Sequence, residues 1–241
     1  MKKLLVFDIW GDFGHFKQIF ATTSALTYPF PFKTAIYGMI GAITGLSKEG
    51  NDYLNYFPPG QCRVGLHLLS PVKTQRLNIN LSPDTGPIRS NRKPTMMEFV
   101  CRPKYRIFFF HENEVLTGKL KTHLESHSSV FTVSLGLANL LANFHYLGEF
   151  EFELRERMEG IIHGIIATDN VIALNSEAML ELDNEIVEVS QYATEMDHER
   201  NVTKRTKVLY DRNGKPVYAK LNQCIQVFDF PDQPILHLSM L

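Results

Sequence analysis

Lys33 and Thr34 follow two prolines and sit among three glycines in the stretch SALTYPFPFKTAIYGMIGAITGL, residues Ser24 to Leu46. Pro29 and Pro31 hold the chain extended, and an apolar helical period begins beyond them, so the Lys-Thr pair falls in the first turn of a helix. A cation beside free helix N–H groups can hold a phosphate, and Gly38, Gly41 and Gly45 let something approach the backbone closely. The same residues also describe a buried helix packed on a sheet. A triphosphate-binding loop does not fit, because Phe32 stands where the glycine preceding the lysine must be. RNA cleavage without metal needs a base for the 2′-hydroxyl and an acid for the leaving oxygen, which directs attention to histidines. His123 and His127 are one helical turn apart, but the setting Glu125-Ser126-His127-Ser128-Ser129 is that of a solvated helix end. His111 follows a strand, while His67, His145 and His163 lie among apolar residues and are expected to be satisfied core histidines. No Ser-His-Asp order or DxD pair stands out. Cys62, Cys101 and Cys224 lack CxxC spacing. No zinc site, disulfide framework or cofactor is therefore expected.

The elements that position these groups are legible from periodicity. Lys3 to Trp10 alternates Leu5, Phe7 and Ile9 against Leu4, Val6 and Asp8 and reads as a strand. A polar loop, Gly11 to Lys17, follows. Ile36, Met39, Ile40 and Ile43 recur at helical spacing up to Gly45, a natural stop. Val64, Leu66 and Leu68 alternate in a second strand, Tyr105 to Phe110 forms a third, and Leu116, Leu120 and Leu124 mark a second helix. Strand, helix, strand, strand, helix is the order of an α+β, ferredoxin-like unit of the RNA-recognition-motif kind. Asn213-Gly214 between Lys207–Tyr210 and Pro216–Lys220 is a hairpin signal, so a smaller β-rich C-terminal region is expected. The expected organisation is a domain over 1–158 and the β-rich region over 159–241.

Formal net charge is −1, but it is unevenly spread along the chain. Lys73 to Arg106 carries eight cations against Asp84 and Glu98; Glu149 to Glu199 carries fourteen carboxylates against Arg155 and Arg157; Arg200 to Lys220 carries seven cations against Asp211. Basic blocks of this kind suit a polyanion, although charge runs also form ordinary solvated faces. Thr74 to Lys104 spans thirty-one residues with four prolines, too long for an inert connection. Within it Arg89, Arg92 and Lys93 precede Met96 and Met97, so cations could straddle phosphates while a methionine wedges between bases. A basic loop with its methionines packed on the body is the alternative. Glu149, Glu151 and Glu153 alternate with Phe150, Phe152 and Leu154, the pattern of a half-exposed strand. No apolar run reaches the length of a membrane span, and Met1 to Phe7 is too short for a secretory core, so a cytoplasmic protein is expected.

The run GDFGHFKQIFATTSALTYPFPFKTAIYGMIGAITGL, followed by NRKPTMMEFVCRPKYRIFFF, SLGLANLLANF and VLYDRNGKPVYAKL, resembles the fifth family of CRISPR-associated proteins, most closely its type I-B branch. The resemblance covers nearly the whole chain. Its most specific element is Tyr-x-Phe-Pro-x-Lys-Thr leading into a glycine-spaced helix, with Pro-x-Tyr-Arg-Ile downstream. It implies a modified RNA-recognition fold with a protruding thumb at about 74–104, in a non-catalytic subunit that caps the five-prime handle of CRISPR RNA within a Cascade surveillance complex. It further implies contacts with the large subunit and the first backbone subunit, and with target DNA only through the complex. Carried onto matching positions, the RNA-binding set is His15, Lys17, Lys33, Thr34, Arg76, Arg89, Arg92, Lys93, Met96, Met97, Lys104 and Arg106. One branch of the family resembles a metal-independent endoribonuclease that processes precursor CRISPR RNA. The two readings differ in whether an acid-base cluster exists, and a bridging subunit with little RNA affinity is a third.

Overall fold

The computed structural model describes residues 2–19, 25–81, 93–231 and 233–241, with the side chains of Leu81 and Lys93 outside the description. In chain order, β1 (Lys2–Gly11) leads to three two-residue strands, β2 (Phe13–Gly14), β3 (Phe16–Lys17) and β4 (Thr27–Tyr28), and then to α1 (Lys33–Thr44). After a 3₁₀ segment at Glu49–Tyr56 come β5 (Cys62–Leu68), β6 (Thr74–Leu81), β7 (Lys93–Cys101), β8 (Lys104–His111) and α2 (Glu114–Glu125). The remainder is strand-rich: β9 (Ala142–Ile162), β10 (Ile166–Ala167), β11 (Val171–Leu174), a short α3 (Ser176–Glu181), β12 (Ile186–Met196), β13 (Val202–Asp211), β14 (Val217–Phe230) and β15 (Gln233–Leu238). The fold is mixed α/β and mostly strand.

A seven-stranded sheet runs β11-β14-β9-β1-β8-β5, with β15 also on β14. β1 lies at its centre and is buried on both faces, which is why its apolar run is nearly continuous. One face carries Leu5, Phe7, Ile9, Val64, Leu66 and Phe109, covered by Ile36, Ile40 and Ile43 of α1 and Leu116, Leu120 and Leu124 of α2. The other carries Leu4, Val6 and Phe108, covered by Ile225, Val227, Leu236 and Leu238 as the sheet curls back on itself. α2 starts under an Asn113 side-chain cap, and α1 ends at Gly45, whose φ of 72° returns its N–H to the Gly41 carbonyl. β9 runs without a break through residues 158 and 159, and β14 and β15 extend the sheet that β1 began; a second sheet, β10-β13-β12, packs Tyr192 and Tyr210 on the aromatic lead into α1.

The segment Thr74 to Lys104, too long for an inert connection, holds β6 and β7, which pair as an antiparallel ribbon in the register Arg76 with Glu98, Leu77 with Met97 and Asn78 with Met96. One expectation is corrected here: Asn213-Gly214 does not join a hairpin, because β13 pairs with β12 and β10, whereas β14 pairs with β9, β11 and β15. The reason lies one residue outside the turn. The buried Asp211 carboxylate accepts the N–H groups of Asn213 at 2.8 Å, Lys215 at 3.0 Å and Glu185 at 2.7 Å, so the corner is organised around that side chain and sends the strands into different sheets. The carboxylates along β9 meet cations at its start: Glu149 faces Lys3 at 3.6 Å and Lys121 at 3.3 Å.

Candidate nucleic-acid interface

The ribbon β6–β7 presents two unlike faces because side chains alternate along each strand. Arg76, Asn78 and Met96 are exposed on one, whereas Met97 and Phe99 turn inward on the other and are buried. Met97 also bridges to Ala25, and the Glu98 N–H donates to the Ala25 carbonyl at 2.9 Å, so the segment before α1 seats the ribbon on the body. The Glu98 carboxylate completes the seat by accepting the Thr27 N–H at 3.3 Å and the Arg76 Nε–H at 3.5 Å. Arg76 keeps most of its guanidinium in solvent, its side chain being 61% exposed. Lys17, Lys73 and Arg102 are exposed beside or at the base of the ribbon, and Lys104 is exposed with its ammonium 5.7 Å from the Trp10 ring. Among the described residues none of these four cations is placed in an ion pair.

Several members of the sequence-derived set lie elsewhere. The His15 ring is buried, and its Nδ1–H donates to the Glu98 carbonyl at 2.7 Å, so it braces the ribbon from beneath. The His15 carbonyl meets Gly136, whose φ of 100° and lack of a Cβ are both required there: a Cβ would overlap that carbonyl. This explains the glycine in the SLGLANLL segment. Arg106 is committed to Asp8, donating from Nε at 2.7 Å and from a terminal nitrogen at 3.1 Å, and lies 5.4 Å above the Phe230 ring. Lys33 and Thr34 are both buried but face different cavities, Thr34 a groove along the Gly38 side of α1 and Lys33 a pocket under the second sheet. Arg89, Arg92 and the Lys93 side chain lie outside the described residues.

The prolines before α1 have a structural cause. Tyr105 donates its hydroxyl to the Pro29 carbonyl at 2.7 Å and Tyr192 donates to the Pro31 carbonyl at 3.0 Å, fixing the direction from which the helix starts. The expected role of the glycines is only partly met. Gly45 closes the helix, whereas a Cβ at Gly38 would meet open space, so Gly38 is not a close-packing site.

The histidines are dispersed. His111 donates Nε2–H to the Tyr56 carbonyl at 2.6 Å and accepts the Asn113 N–H on Nδ1 at 2.8 Å, so the neutral ring serves the turn before α2, and burial lowers its pKa. His123 meets Ser128 Oγ at 3.0 Å at the exposed end of α2. His67 and His163 stack at 5.5 Å between ring centres and belong to the interior as expected, but His145 is exposed. Among the described residues no three His, Cys, Asp or Glu side chains come together as a metal site, and no helix is long and apolar enough to cross a membrane. Sequence reading missed Trp10, the one tryptophan, which shares a strand face with Asp8 and neighbours Lys104 across the β1–β8 ladder. Its signal was the strand alternation that already placed Asp8.

The second basic block proves largely self-neutralised. Lys204 meets Glu195 at 3.6 Å, Lys207 meets Glu188 at 3.2 Å, Arg212 meets Glu185 at 3.0 Å, Lys215 meets Asp183 at 2.8 Å and Lys220 meets Glu159 at 3.3 Å. Among the described residues Lys17, Lys73, Arg102 and Lys104 at the ribbon and its base make no ion pair, and neither do Lys48, Lys119, Arg157 and Arg200 elsewhere on the surface.

Compared with known proteins, residues 4–214 match the family described as CRISPR-associated protein (Cas_Cas5). No curated protein matches the sequence. A CRISPR protein from Archaeoglobus fulgidus has a similar fold, with a TM-score of 0.51 at 9% identity over 97% of each chain. A chain of a CRISPR RNA-guided surveillance complex is similar at a TM-score of 0.44 and 10% identity, over 97% of this chain and 91% of that one.

Proposed function

The chain belongs to the CRISPR-associated protein (Cas_Cas5) family, and from that premise we propose that it is a non-catalytic Cascade subunit that holds the five-prime handle of CRISPR RNA. The β6–β7 ribbon acts as the thumb, and the strands in the order β9-β1-β8-β5, with α1 and α2 on one face, act as a ferredoxin-like palm. The observation that carries the reading is the contrast in pairing. The cations of the C-terminal basic block are mostly neutralised within the chain, while Lys17, Lys73, Arg102 and Lys104 around the ribbon make no ion pair among the described residues. Cations exposed together on one surface position phosphates; Trp10 and Met96 offer apolar surface to unstacked bases. The large and backbone subunits of the complex are the protein partners in this reading, and target DNA is reached through them.

Fluorescence anisotropy with a single-stranded RNA of the cognate repeat's handle, titrated over salt, tests it. Each of Lys73→Ala and Lys104→Ala is expected to weaken binding and reduce the salt slope by roughly 0.7, the value for one phosphate contact on a single strand. Lys207→Ala and Lys215→Ala serve as ion-paired controls and are expected to change neither. Metal-free, single-turnover incubation with precursor RNA is expected to leave it intact. Cleavage that His111→Ala or His123→Ala abolishes would establish the endoribonuclease reading instead.

A further inference from the structure

Lys33 is a buried cation that the ribbon does not use. Its side chain enters a cavity of about 270 Å³ between the start of α1, the edge strand β5 and the β12–β13 pair, and no lining residue belongs to β6 or β7. Lys33 is 7% exposed, and among the described residues its ammonium makes no hydrogen bond or ion pair. Arg63 and Lys204 line the same cavity, together with Cys62, Glu195 and Asp169. Glu195 is engaged by Lys204 at 3.6 Å and makes no ion pair with Lys33. Burial holds the Lys33 amine below its ordinary pKa; Lys204 and Arg63 push the same way against the opposing pull of Cys62 and Glu195. An ammonium withdrawn from water without a partner is costly, and an anion supplied from outside would remove that cost.

We propose that this cavity binds a small oxyanion of the phosphate-monoester class, with Lys33 at its floor and, in its lining, Arg63, which donates to Gln223 at 3.4 Å, and Lys204, which an entering anion would share with Glu195. Three cations against two carboxylates leave the lining net positive, and a volume of about 270 Å³ suits one compact anion rather than a polyphosphate or an RNA strand. The site stands apart from the handle interface and depends on neither its truth nor its failure. Inorganic phosphate and the terminal phosphate of a nucleotide share this chemistry.

The test is thermal unfolding of the full chain with inorganic phosphate, with adenosine monophosphate, and with chloride at matched ionic strength. Phosphate stabilises proteins generally by exclusion from their surface, so the informative quantity is the difference between wild type and Lys33→Met. For a bound ligand at a hundred times its dissociation constant the wild-type Tm is expected to rise by roughly 5–10 °C. Lys33→Met is expected to lose that rise and, having no buried ammonium to desolvate, to be at least as stable without anion. A rise with phosphate identifies the free anion as the ligand, and a rise with the nucleotide alone identifies a terminal phosphate. Should Lys33→Met fail to fold, Lys204→Met carries the comparison, since that side chain is 60% exposed, and is expected to weaken binding about tenfold. No rise with either ligand, or equal rises in wild type and variants, overturns the proposal.

Discussion

Arg106 changes meaning between sequence and structure more than any other residue. Read along the chain it is one cation in a basic block; folded, it holds a carboxylate 98 residues away, with the Asp8 side chain only 9% exposed. Removing one partner of a buried pair leaves the other charge without compensation, which typically costs about 3–5 kcal/mol. Arg106→Ala is therefore expected to lower stability in urea unfolding by about that amount. Asp8→Leu combined with Arg106→Met should recover most of it, because no buried charge then remains. Stability close to wild type together with weakened RNA binding would return Arg106 to the handle. Nothing local in the Tyr-Arg-Ile motif distinguishes a cation that meets phosphate from one that meets Asp8. Lys33 and His15 were illegible for the same reason: residue type announces charge or hydrogen-bonding capacity, but the surroundings come from distant segments, here the β12–β13 cavity wall for Lys33 and the Glu98 backbone for His15.

At the level of elements, most of the central sheet and its two helices was readable and the ribbon was not. β1, β5 and β8 declare themselves by alternation, and α1 and α2 by apolar spacing that the folded core uses as read. β6 carries the same period, with Leu77 and Ile79 alternating against Arg76, Asn78 and Asn80, but neighbouring prolines and basic composition made the whole stretch look like a loop. Pairing resolves the ambiguity of the two methionines, since adjacent residues of a strand face opposite ways. Met97→Ala is expected to destabilise the protein by about 2–5 kcal/mol, as truncation of a buried methionine does, and to loosen the ribbon from the body. Met96→Ala, at a position 46% exposed, should change stability by less than about 0.5 kcal/mol and leave the salt dependence of RNA binding alone. If Met96 parts two bases, its loss appears as altered chemical reactivity of those bases in the assembled complex. Unchanged reactivity removes it from the wedge role.

Over the whole molecule, the charge blocks mislead because the chain folds them onto each other. The acidic stretch and the basic stretch after it become the antiparallel neighbours β12 and β13, so segregation along the sequence turns into neutralisation across a ladder, Glu195 opposite Lys204 being one rung. In the early basic block Arg76 and Arg106 find carboxylates, while Lys73, Arg102 and Lys104 make no ion pair among the described residues. Long-range closure creates a second property that no single element contains. His67 on β5 stacks on His163 beyond β9, and the His163 N–H donates to the His237 carbonyl at 2.8 Å, so the ring pair lies where three distant segments meet. Burial depresses both rings from an ordinary 6.5 to about 4; His163 and Arg106 add to the effect at His67 against a smaller opposing pull from Asp8, and His237 adds to it at His163. The sign follows from proton counting. Between pH 6.5 and 4 the unfolded chain binds protons at these two positions and the folded chain does not, and stability rises with pH wherever the unfolded state binds more protons. Acidification through that window therefore destabilises the protein, at a rate of up to about 2.7 kcal/mol per pH unit for two groups. Urea unfolding at pH 7, 6 and 5, above the range where most carboxylates protonate, should show the midpoint falling with pH. His67→Asn with His163→Asn should flatten the dependence, because the unfolded chain then loses the two groups that take up protons. A midpoint that holds constant from pH 7 to 5 in the wild type would mean that these rings are hydrated in solution and that the junction between β5, β9 and β15 is looser than its packing implies.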